Sequence, residues 1–186
     1  MTGTLMTLGH GYSAQALARR LVPQGWRILG TTRDAEKADA MRTAGVTPLD
    51  WTHDALRAGL DQADHLLVSA GPSFASGTDT DPGLEALGDA LPARAAALKW
   101  VGYLSTTAVY GDHDGAWVDE DTPVMPGSRR GRARVAAEQA WSAIPDLPLH
   151  IFRLAGIYGP GRGPFEKVTR GTARQIIKPG QVFSRI

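Results

Sequence analysis

Leu5-Met6-Thr7-Leu8-Gly9-His10-Gly11-Tyr12-Ser13-Ala14 is the stretch that decides the fold of this 186-residue chain. An apolar run of strand length leads into a G-x-G-x-x-A pattern, after which apolar residues recur at helical spacing. Gly9 permits a tight turn, Gly11 lets another group approach the backbone closely, and Ala14 lets the helix pack against the strand. Because the amino end of such a helix attracts anions, the pattern predicts a diphosphate site.

The next segment completes a β-α-β unit. Pro23-Gln24-Gly25 stops the helix, and an apolar strand follows over 26–33. Together they span about the ~30 residues of a dinucleotide-binding fingerprint. An ordinary strand, turn and helix without a ligand is the alternative. The residues that we predict to contact the dinucleotide here are Gly9, Gly11, Tyr12, Ser13 and Ala14.

The end of the second strand favours one nicotinamide cofactor over the other. An acidic residue there would bind the ribose hydroxyls, whereas an arginine can pair with a 2′-phosphate. Arg33 therefore predicts NADP, with NAD less favoured. Asp34 leaves an alternative open, because its carboxylate could bind the ribose or cap the following helix.

Composition excludes several classes of protein. With 42% hydrophobic and 21% charged residues the chain resembles a soluble domain, and its net charge of +1 provides no field for nucleic acid or a membrane surface. The absence of cysteine excludes disulfides, thiolate zinc sites and cysteine nucleophiles. No apolar run is long enough to span a membrane and no signal sequence is recognisable, so a cytoplasmic location is expected. The acidic segment 112–121 is interpreted as solvated, and no metal site is predicted.

Strands and helices alternate along the rest of the chain. Further strands are predicted at 46–50, 65–71, 100–105 and 149–154, helices at 35–44, 54–60, 83–97 and 129–143, and a surface loop at 72–83. This order predicts a three-layer α/β/α fold around a doubly wound parallel sheet of the Rossmann type.

Ligands of such sheets bind beyond the carboxyl ends of the strands. This rule adds four predicted cofactor contacts, which are Asp50, Ser69, Ala70 and Gly71. Ser69 and Gly71 could equally serve the turn that follows their strand.

Four later motifs carry a family resemblance. They are Leu104-Ser105-Thr106-Thr107-Ala108-Val109-Tyr110-Gly111, Trp117-Val118-Asp119-Glu120, Ala136-Ala137-Glu138-Gln139 and Arg153-Leu154-Ala155-Gly156-Ile157-Tyr158-Gly159-Pro160-Gly161-Arg162. With the opening turn they resemble the extended short-chain dehydrogenase/reductase family, which contains nucleotide-sugar epimerases and dehydratases. The resemblance implies an NAD(P)-binding domain over 1–154, a small-molecule substrate, and a homodimer formed through the helices at 83–97 and 129–143. It also implies that 155–186 begins a substrate domain whose cap is incomplete, in a fragment or a naturally shortened member.

The acid-base pair of this family is missing. Family members place a Ser or Thr at the end of the fifth strand and Tyr-x-x-x-Lys on the next helix. The match puts Thr106 at the first position, Arg130 in place of the tyrosine and Arg134 in place of the lysine. Because guanidinium groups stay protonated near neutrality, neither arginine is a useful proton carrier. Thr106 is the predicted substrate-binding hydroxyl, and Tyr110 is either a substitute proton carrier or a packing aromatic.

Arg130 and Arg134 are one helical turn apart, so they share a face of their helix. They could bind cofactor or substrate phosphates, and Arg134 is counted among the predicted cofactor contacts. Alternatively, they lie on a solvated face opposite an apolar stripe at 133, 136, 137, 140 and 144. A single basic turn without aromatic residues does not predict nucleic-acid binding.

Three possibilities remain open, and one of them is a packing domain that binds no nucleotide. The leading one is an NADP-dependent oxidoreductase of the epimerase/dehydratase type that acts on a nucleotide- or phosphate-bearing substrate. The second is an inactive NADP-binding sensor or scaffold, since both the tyrosine and the lysine are absent. Sugar dehydration is not expected, because Thr107-Ala108 stands where dehydratases carry Asp-Glu.

Overall fold

The computed structural model describes residues 2–72, 80–174, 177 and 179. A six-stranded sheet runs through the middle of these residues in the order β3-β2-β1-β4-β5-β6. Each neighbouring pair of strands is parallel, which confirms the predicted Rossmann-type sheet. The strands are β1 (Thr4–Leu8), β2 (Arg27–Thr32), β3 (Val46–Asp50), β4 (His65–Val68), β5 (Trp100–Thr106) and β6 (Leu149–Leu154).

Helices cover both faces of the sheet and complete the three layers. They are α1 (Tyr12–Leu21), α2 (Ala35–Thr43), α3 (His53–Gln62), α4 (Pro82–Leu87), α5 (Ala90–Arg94), α6 (Arg129–Ser142) and α7 (Pro164–Thr169). Among the described residues, no helix is both long enough and apolar enough to cross a bilayer.

Each face of the sheet has its own core. Ala14 and Ala18 of α1 and Met41 of α2 pack with Leu5 and Ile28 on one face. On the other face, side chains from α3, α5 and α6 pack on β1, β4 and β5, for example Leu56, Leu91 and Trp141 around Met6 and Tyr103. The small residues at 14 and 18 let α1 approach the sheet closely.

The single helix predicted over 83–97 is wrong. Gly88 adopts φ 48° and ends α4, and a separate short helix, α5, follows. A 3-10 turn over Ala95–Ala97 then leads into β5. Helical spacing of apolar residues could not reveal this break, because α4 and α5 still bury apolar side chains in the same core.

Two further expectations need correction or lie outside the described residues. The strand predicted to reach residue 71 ends at Val68, because the N–H groups of Ser69 and Ala70 both donate to the carbonyl oxygen of Leu8, at 2.9 and 2.8 Å. Residues 73–79 of the predicted loop and most of 175–186 lie outside the described part of the chain.

The apolar stripe predicted for α6 is only partly right. Ala133 and Ala137 are buried, but Ala136 and Ala140 are exposed. Trp141 continues the row of Ala133 and Ala137 at a spacing of four, and its ring lies 6.0 Å from that of Tyr103. The large indole therefore decides which side of the helix faces the sheet.

Candidate dinucleotide and substrate site

The strand order reverses between β1 and β4, since the chain winds outward from β1 in one direction and from β4 in the other. Ligands of open α/β sheets bind in the crevice beyond the carboxyl ends of the strands at such a point. Gly9 and Gly11 follow β1, and Ser69, Ala70 and Gly71 follow β4. The sheet thus brings these two predicted groups to one crevice.

The turn at Gly9 is held from both neighbouring strands. The Gly9 N–H donates to Thr31 Oγ1 at 2.6 Å, and the Ser69 hydroxyl donates to the Gly9 carbonyl oxygen. Gly9 has φ +83°, and a Cβ there would lie 2.8 Å from the Ala70 nitrogen. Glycine is therefore required at residue 9 by both conformation and space. Sequence reasoning missed the role of Thr31, although its place at the end of the second predicted strand was a usable signal.

The start of α1 carries no side-chain cap. Gly11 occupies the N-cap position without a side-chain hydrogen bond, whereas α2, α3 and α6 are capped by Asp34, Thr52 and Ser128. A Cβ added to Gly11 would meet nothing within 4 Å. The N-cap residue therefore supplies no side-chain acceptor to the first-turn N–H groups of α1, and the space beside Gly11 is open, so an anion there could accept their hydrogen bonds.

The predicted cofactor-selecting residue, Arg33, lies beside an aromatic ring. Arg33 is exposed, and its Cζ lies 5.2 Å from the ring centroid of Trp51. Sequence reasoning missed Trp51, which directly follows Asp50 at the end of β3 and therefore belongs to the same sheet edge. Asp34 caps α2 by accepting from the Lys37 N–H at 3.1 Å, as one of its two predicted roles required.

Arg134 is held by hydrogen bonds to β5 and does not lie on a solvated helix face. Its Nη1 donates to the Leu104 carbonyl oxygen at 2.8 Å and to the Tyr103 hydroxyl at 3.1 Å, and the guanidinium lies against Gly71. The Tyr103 hydroxyl in turn donates to Asp81 Oδ2 at 3.2 Å. Burial raises the pKa of Tyr103 far above its usual value, so this hydroxyl remains a donor.

Arg130 behaves differently from Arg134. It is exposed in the first turn of α6, and no hydrogen bond or ion pair of its side chain occurs among the described residues. The two arginines therefore do not share one environment, as both predicted alternatives had assumed. Arg134 is a fixed part of the crevice, and Arg130 is a solvated cation near it in the sequence.

Thr106 ends β5 with its hydroxyl partly used. Thr106 Oγ1 accepts from the Ala108 N–H at 3.2 Å and so caps the 3-10 turn Thr107–Val109. Since a threonine hydroxyl has one O–H in addition to its lone pairs, the donor remains available to a substrate oxygen.

Tyr110 belongs to a buried hydrogen-bond network. Its hydroxyl accepts from Arg153 Nη1 at 3.1 Å, and Arg153 Nη2 pairs with Glu138 Oε2 at 3.0 Å. Glu138 also accepts from the Ser105 hydroxyl at 2.5 Å. The bond to Glu138 raises the pKa of Arg153. This geometry favours the packing role of Tyr110 over proton transfer.

A cleft of about 460 Å³ opens beside this network and is bordered by Thr107, Tyr110 and Arg153. Asp119 and Glu120 also line it, so its charge does not suit a phosphate group. Asp119 is engaged with Thr122, whose hydroxyl donates to it at 2.7 Å. Among the described residues, no group of three or more His, Asp or Glu side chains is arranged to hold a metal ion.

The segment that follows β6 packs on the start of α1. Gly159 and Arg162 close a turn through reciprocal backbone hydrogen bonds of 2.7 and 2.9 Å. The Tyr12 hydroxyl donates to the Pro160 carbonyl oxygen at 3.1 Å, and Arg162 Cζ lies 5.3 Å from the Tyr12 ring centroid. The Tyr12 side chain therefore holds the later segment against the start of α1. The domain boundary at 154 stays a prediction.

The sheet, the crevice at its switch point and the open start of α1 define the class of Rossmann-type dinucleotide-binding folds. Residues 4–179 match the model of the NAD dependent epimerase/dehydratase family. The chain belongs to that family, and the resemblance that its motifs indicated is confirmed.

Individual relatives agree with this assignment. Protein YeeZ of Escherichia coli K12 is 31% identical over 166 residues, which cover 84% of this chain and 60% of YeeZ. A conserved protein of unknown function from Silicibacter pomeroyi is 61% identical with a TM-score of 0.87, over 99% of this chain and 63% of that one. The enzyme WbmG of Bordetella bronchiseptica, in complex with NAD and UDP, is 23% identical with a TM-score of 0.72, over 90% of this chain and 59% of WbmG, and shows likeness of fold alone. The chain thus spans about three fifths of the length of these relatives.

Proposed function

We propose that the chain binds NADP(H) at the start of α1 and forms the cofactor-binding part of an epimerase-type oxidoreductase. The observation that carries this proposal is the uncapped first turn of α1, with free space above Gly11. Family membership supplies the reason to expect a dinucleotide in that space. When bound, the nicotinamide ring supplies hydride transfer.

The residues present suit NADP better than NAD. Arg33 is exposed and forms no ion pair with a carboxylate among the described residues, so its guanidinium is available for a 2′-phosphate. Asp34, which could have bound the ribose of NAD, is engaged in capping α2. Asp50 and Trp51 would complete the adenosine side of the site, and Ser69, Ala70, Gly71 and Arg134 the nicotinamide side.

The substrate that we propose carries a phosphate or nucleotide group. Thr106 would donate its hydroxyl hydrogen to a substrate oxygen, and the exposed Arg130 would attract a negative charge. WbmG, which shares the fold, is described with both NAD and UDP, and this supports a nucleotide-bearing substrate. Neither arginine moves a proton near neutral pH, so their contribution is binding and orientation.

An inactive NADP(H) sensor or scaffold is the second candidate. The observation that favours it is the fixed position of Arg134, whose bonds to Leu104 and Tyr103 serve packing and provide no acid-base group. A homodimer and a cytoplasmic location stay predictions under either function.

The binding proposal is tested by calorimetric titration with NADPH and NADH. Gly11→Ala adds a methyl group to open space in the folded protein, so we expect its stability to change little and its NADPH affinity to fall about tenfold or more. Gly127→Ala is the matched control, because a Cβ there also meets nothing within 4 Å. Wild-type protein that binds neither coenzyme, or equal affinities of Gly11→Ala and wild type, would contradict the proposal.

Cofactor selection is tested separately. Arg33→Ser is expected to weaken NADPH binding about tenfold or more and to change NADH binding little, because a charge-assisted phosphate contact is lost. Arg57→Ser, at an exposed arginine of α3, is the control. Tighter binding of NADH than of NADPH to the wild type would overturn the preference.

Turnover distinguishes the two functions. NADPH oxidation or NADP reduction with a panel of nucleotide sugars shows an oxidoreductase, and Thr106→Val should then lower turnover while cofactor affinity is kept. Tight NADPH binding without redox chemistry on any panel member, with Thr106→Val without effect, identifies the sensor or scaffold.

A further inference from the structure

A second pocket, which is not part of the proposed cofactor site, lies between α1 and α2. It is a cleft of about 170 Å³. For comparison, an apolar cavity of about 150 Å³ is large enough to bind benzene. Six of the side chains that line the cleft carry the argument, and they are His10, Ala18, Arg19, Lys37, Met41 and Val46.

His10 closes one end of the cleft with a buried ring. The residue is 9% exposed, and its Nδ1 lies 2.9 Å from Thr7 Oγ1 over the bare backbone of Gly30. This contact leaves Nε2 on the side of the ring away from Thr7, and no hydrogen-bond partner of Nε2 occurs among the described residues. A polar atom in such a place is satisfied by a ligand or by water that enters the cleft.

The ring of His10 can offer a proton there. Burial lowers the pKa of His10, so the imidazole is neutral near neutral pH and carries one N–H. Thr7 Oγ1 lies 2.9 Å from His10 Nδ1 and 3.4 Å from the Leu29 carbonyl oxygen, so its one hydroxyl hydrogen can donate to either atom. When it donates to Nδ1, the imidazole N–H is on Nε2. The group at the end of the cleft is then a donor that suits an oxygen acceptor.

The other five side chains that carry the argument are apolar below and cationic at the rim. Ala18, Met41 and Val46 are buried, whereas Arg19 and Lys37 are exposed. Neither cation forms an ion pair with a carboxylate among the described residues. Two cations and one imidazole around an apolar floor suit a ligand that is apolar at one end and anionic at the other.

We propose that this cleft is a binding site for a small organic carboxylate with an apolar body about the size of a benzene ring. The body packs on Ala18, Met41 and Val46, and the carboxylate accepts from Arg19, Lys37 or His10 Nε2. Because His10 lies between Gly9 and Gly11, the ligand would contact the back of the dinucleotide turn. The site is distinct from the cofactor site, and its test uses the cofactor-free chain.

The proposal is tested by titrating ¹⁵N-labelled protein with sodium benzoate and following backbone amide shifts. Saturable shifts of residues around the cleft are expected with a Kd of about 1 mM, the range for a ligand of this size. Benzamide, which has the same body and no charge, and acetate, which has the charge and no body, are expected to bind at least about fivefold more weakly.

Variants locate the ligand. Ala40→Phe, at an exposed position of α2 that lines the cleft, fills the space and is expected to abolish the shifts. Arg19→Gln and Lys37→Gln should each raise the benzoate Kd by about threefold or more. Arg20→Gln, at an exposed neighbour that does not line the cleft, should leave it unchanged. Shifts that fail to saturate, equal binding of benzamide, or unchanged binding to Ala40→Phe would overturn the proposal.

Discussion

The guanidinium of Arg134 on α6 lies so close to Gly71, after β4, that a side chain at residue 71 would displace it. Arg134 therefore connects the end of β4 with β5, because its Nη1 also donates to the carbonyl oxygen of Leu104 on β5, at 2.8 Å. The resemblance implies a lysine at residue 134, where this chain has an arginine, and the glycine at residue 71 leaves room for the guanidinium.

Gly71→Ala is expected to lower the free energy of unfolding by about 1–2 kcal/mol, because Arg134 must leave its two acceptors to make room for the methyl group. Urea denaturation measures the change. Gly127→Ala, where the added Cβ meets nothing within 4 Å, should stay within about 0.5 kcal/mol of the wild type. Equal effects of the two substitutions would show that Arg134 is not held as described.

Glu138→Gln is expected to cost about 2–4 kcal/mol of stability. Its side chain is 6% exposed and that of Arg153 is 21% exposed, so loss of the carboxylate charge leaves a largely buried guanidinium without its counter-ion. Glu166 pairs with Arg170, and their side chains are 40% and 70% exposed, respectively. The same substitution at Glu166 should therefore cost less than about 0.5 kcal/mol. Comparable losses in denaturant titrations of the two variants would refute the importance of the buried network.

The double substitution Arg130→Tyr and Arg134→Lys would give the chain a Tyr-x-x-x-Lys pattern at the two positions where the family resemblance implies it. If the chain binds cofactor and substrate as proposed, turnover on the nucleotide-sugar panel should rise about 100-fold or more, because a phenol can exchange a proton that a guanidinium cannot. Arg130→Phe with Arg134→Lys is the control, since it lacks only the hydroxyl. A phenylalanine variant as active as the tyrosine variant would exclude proton transfer as the cause.

Stability should fall as the pH drops below about 6.5, the usual pKa of histidine. Burial lowers the pKa of both His10 and His65 in the folded protein, so the unfolded chain binds more protons below that pH. Each group adds at most about 1.4 kcal/mol per pH unit to the slope, down to its folded pKa. Denaturation between pH 5 and about 8 tests this.

Replacement of one of these histidines separates its contribution to the pH dependence. His10→Gln should reduce the slope by up to one proton, whereas Thr7→Val removes the partner of His10 and keeps its titration. A slope unchanged in His10→Gln would contradict the assignment. The lowered pKa values of Asp64 and Asp119 add a second loss of stability, at a pH below about 3.8, when their carboxylates become protonated.

Local sequence was sufficient to predict those parts of the fold whose signals all lie within one short segment. The β-α-β unit around Gly9 and Gly11 was predicted because strand length, turn glycines and helical spacing all lie within about ~30 residues. The break at Gly88 was missed, since a glycine inside an apolar helical pattern is compatible with either a continuous helix or two short ones. Trp51 and Glu138 were missed as site and network residues because their partners, Arg33 and Arg153, are brought to them only by the sheet.

The sequence by itself determined the parallel sheet, the turn at its centre and the edge at which a ligand can bind, because these follow from periodicity and from where glycine is needed. Tertiary structure alone decided which groups at that edge are free. It placed Arg134 against Gly71 and joined Tyr110 to Arg153. The physical reason is that whether a polar side chain is free depends on its neighbours in space, and in a doubly wound sheet many of these come from distant parts of the chain.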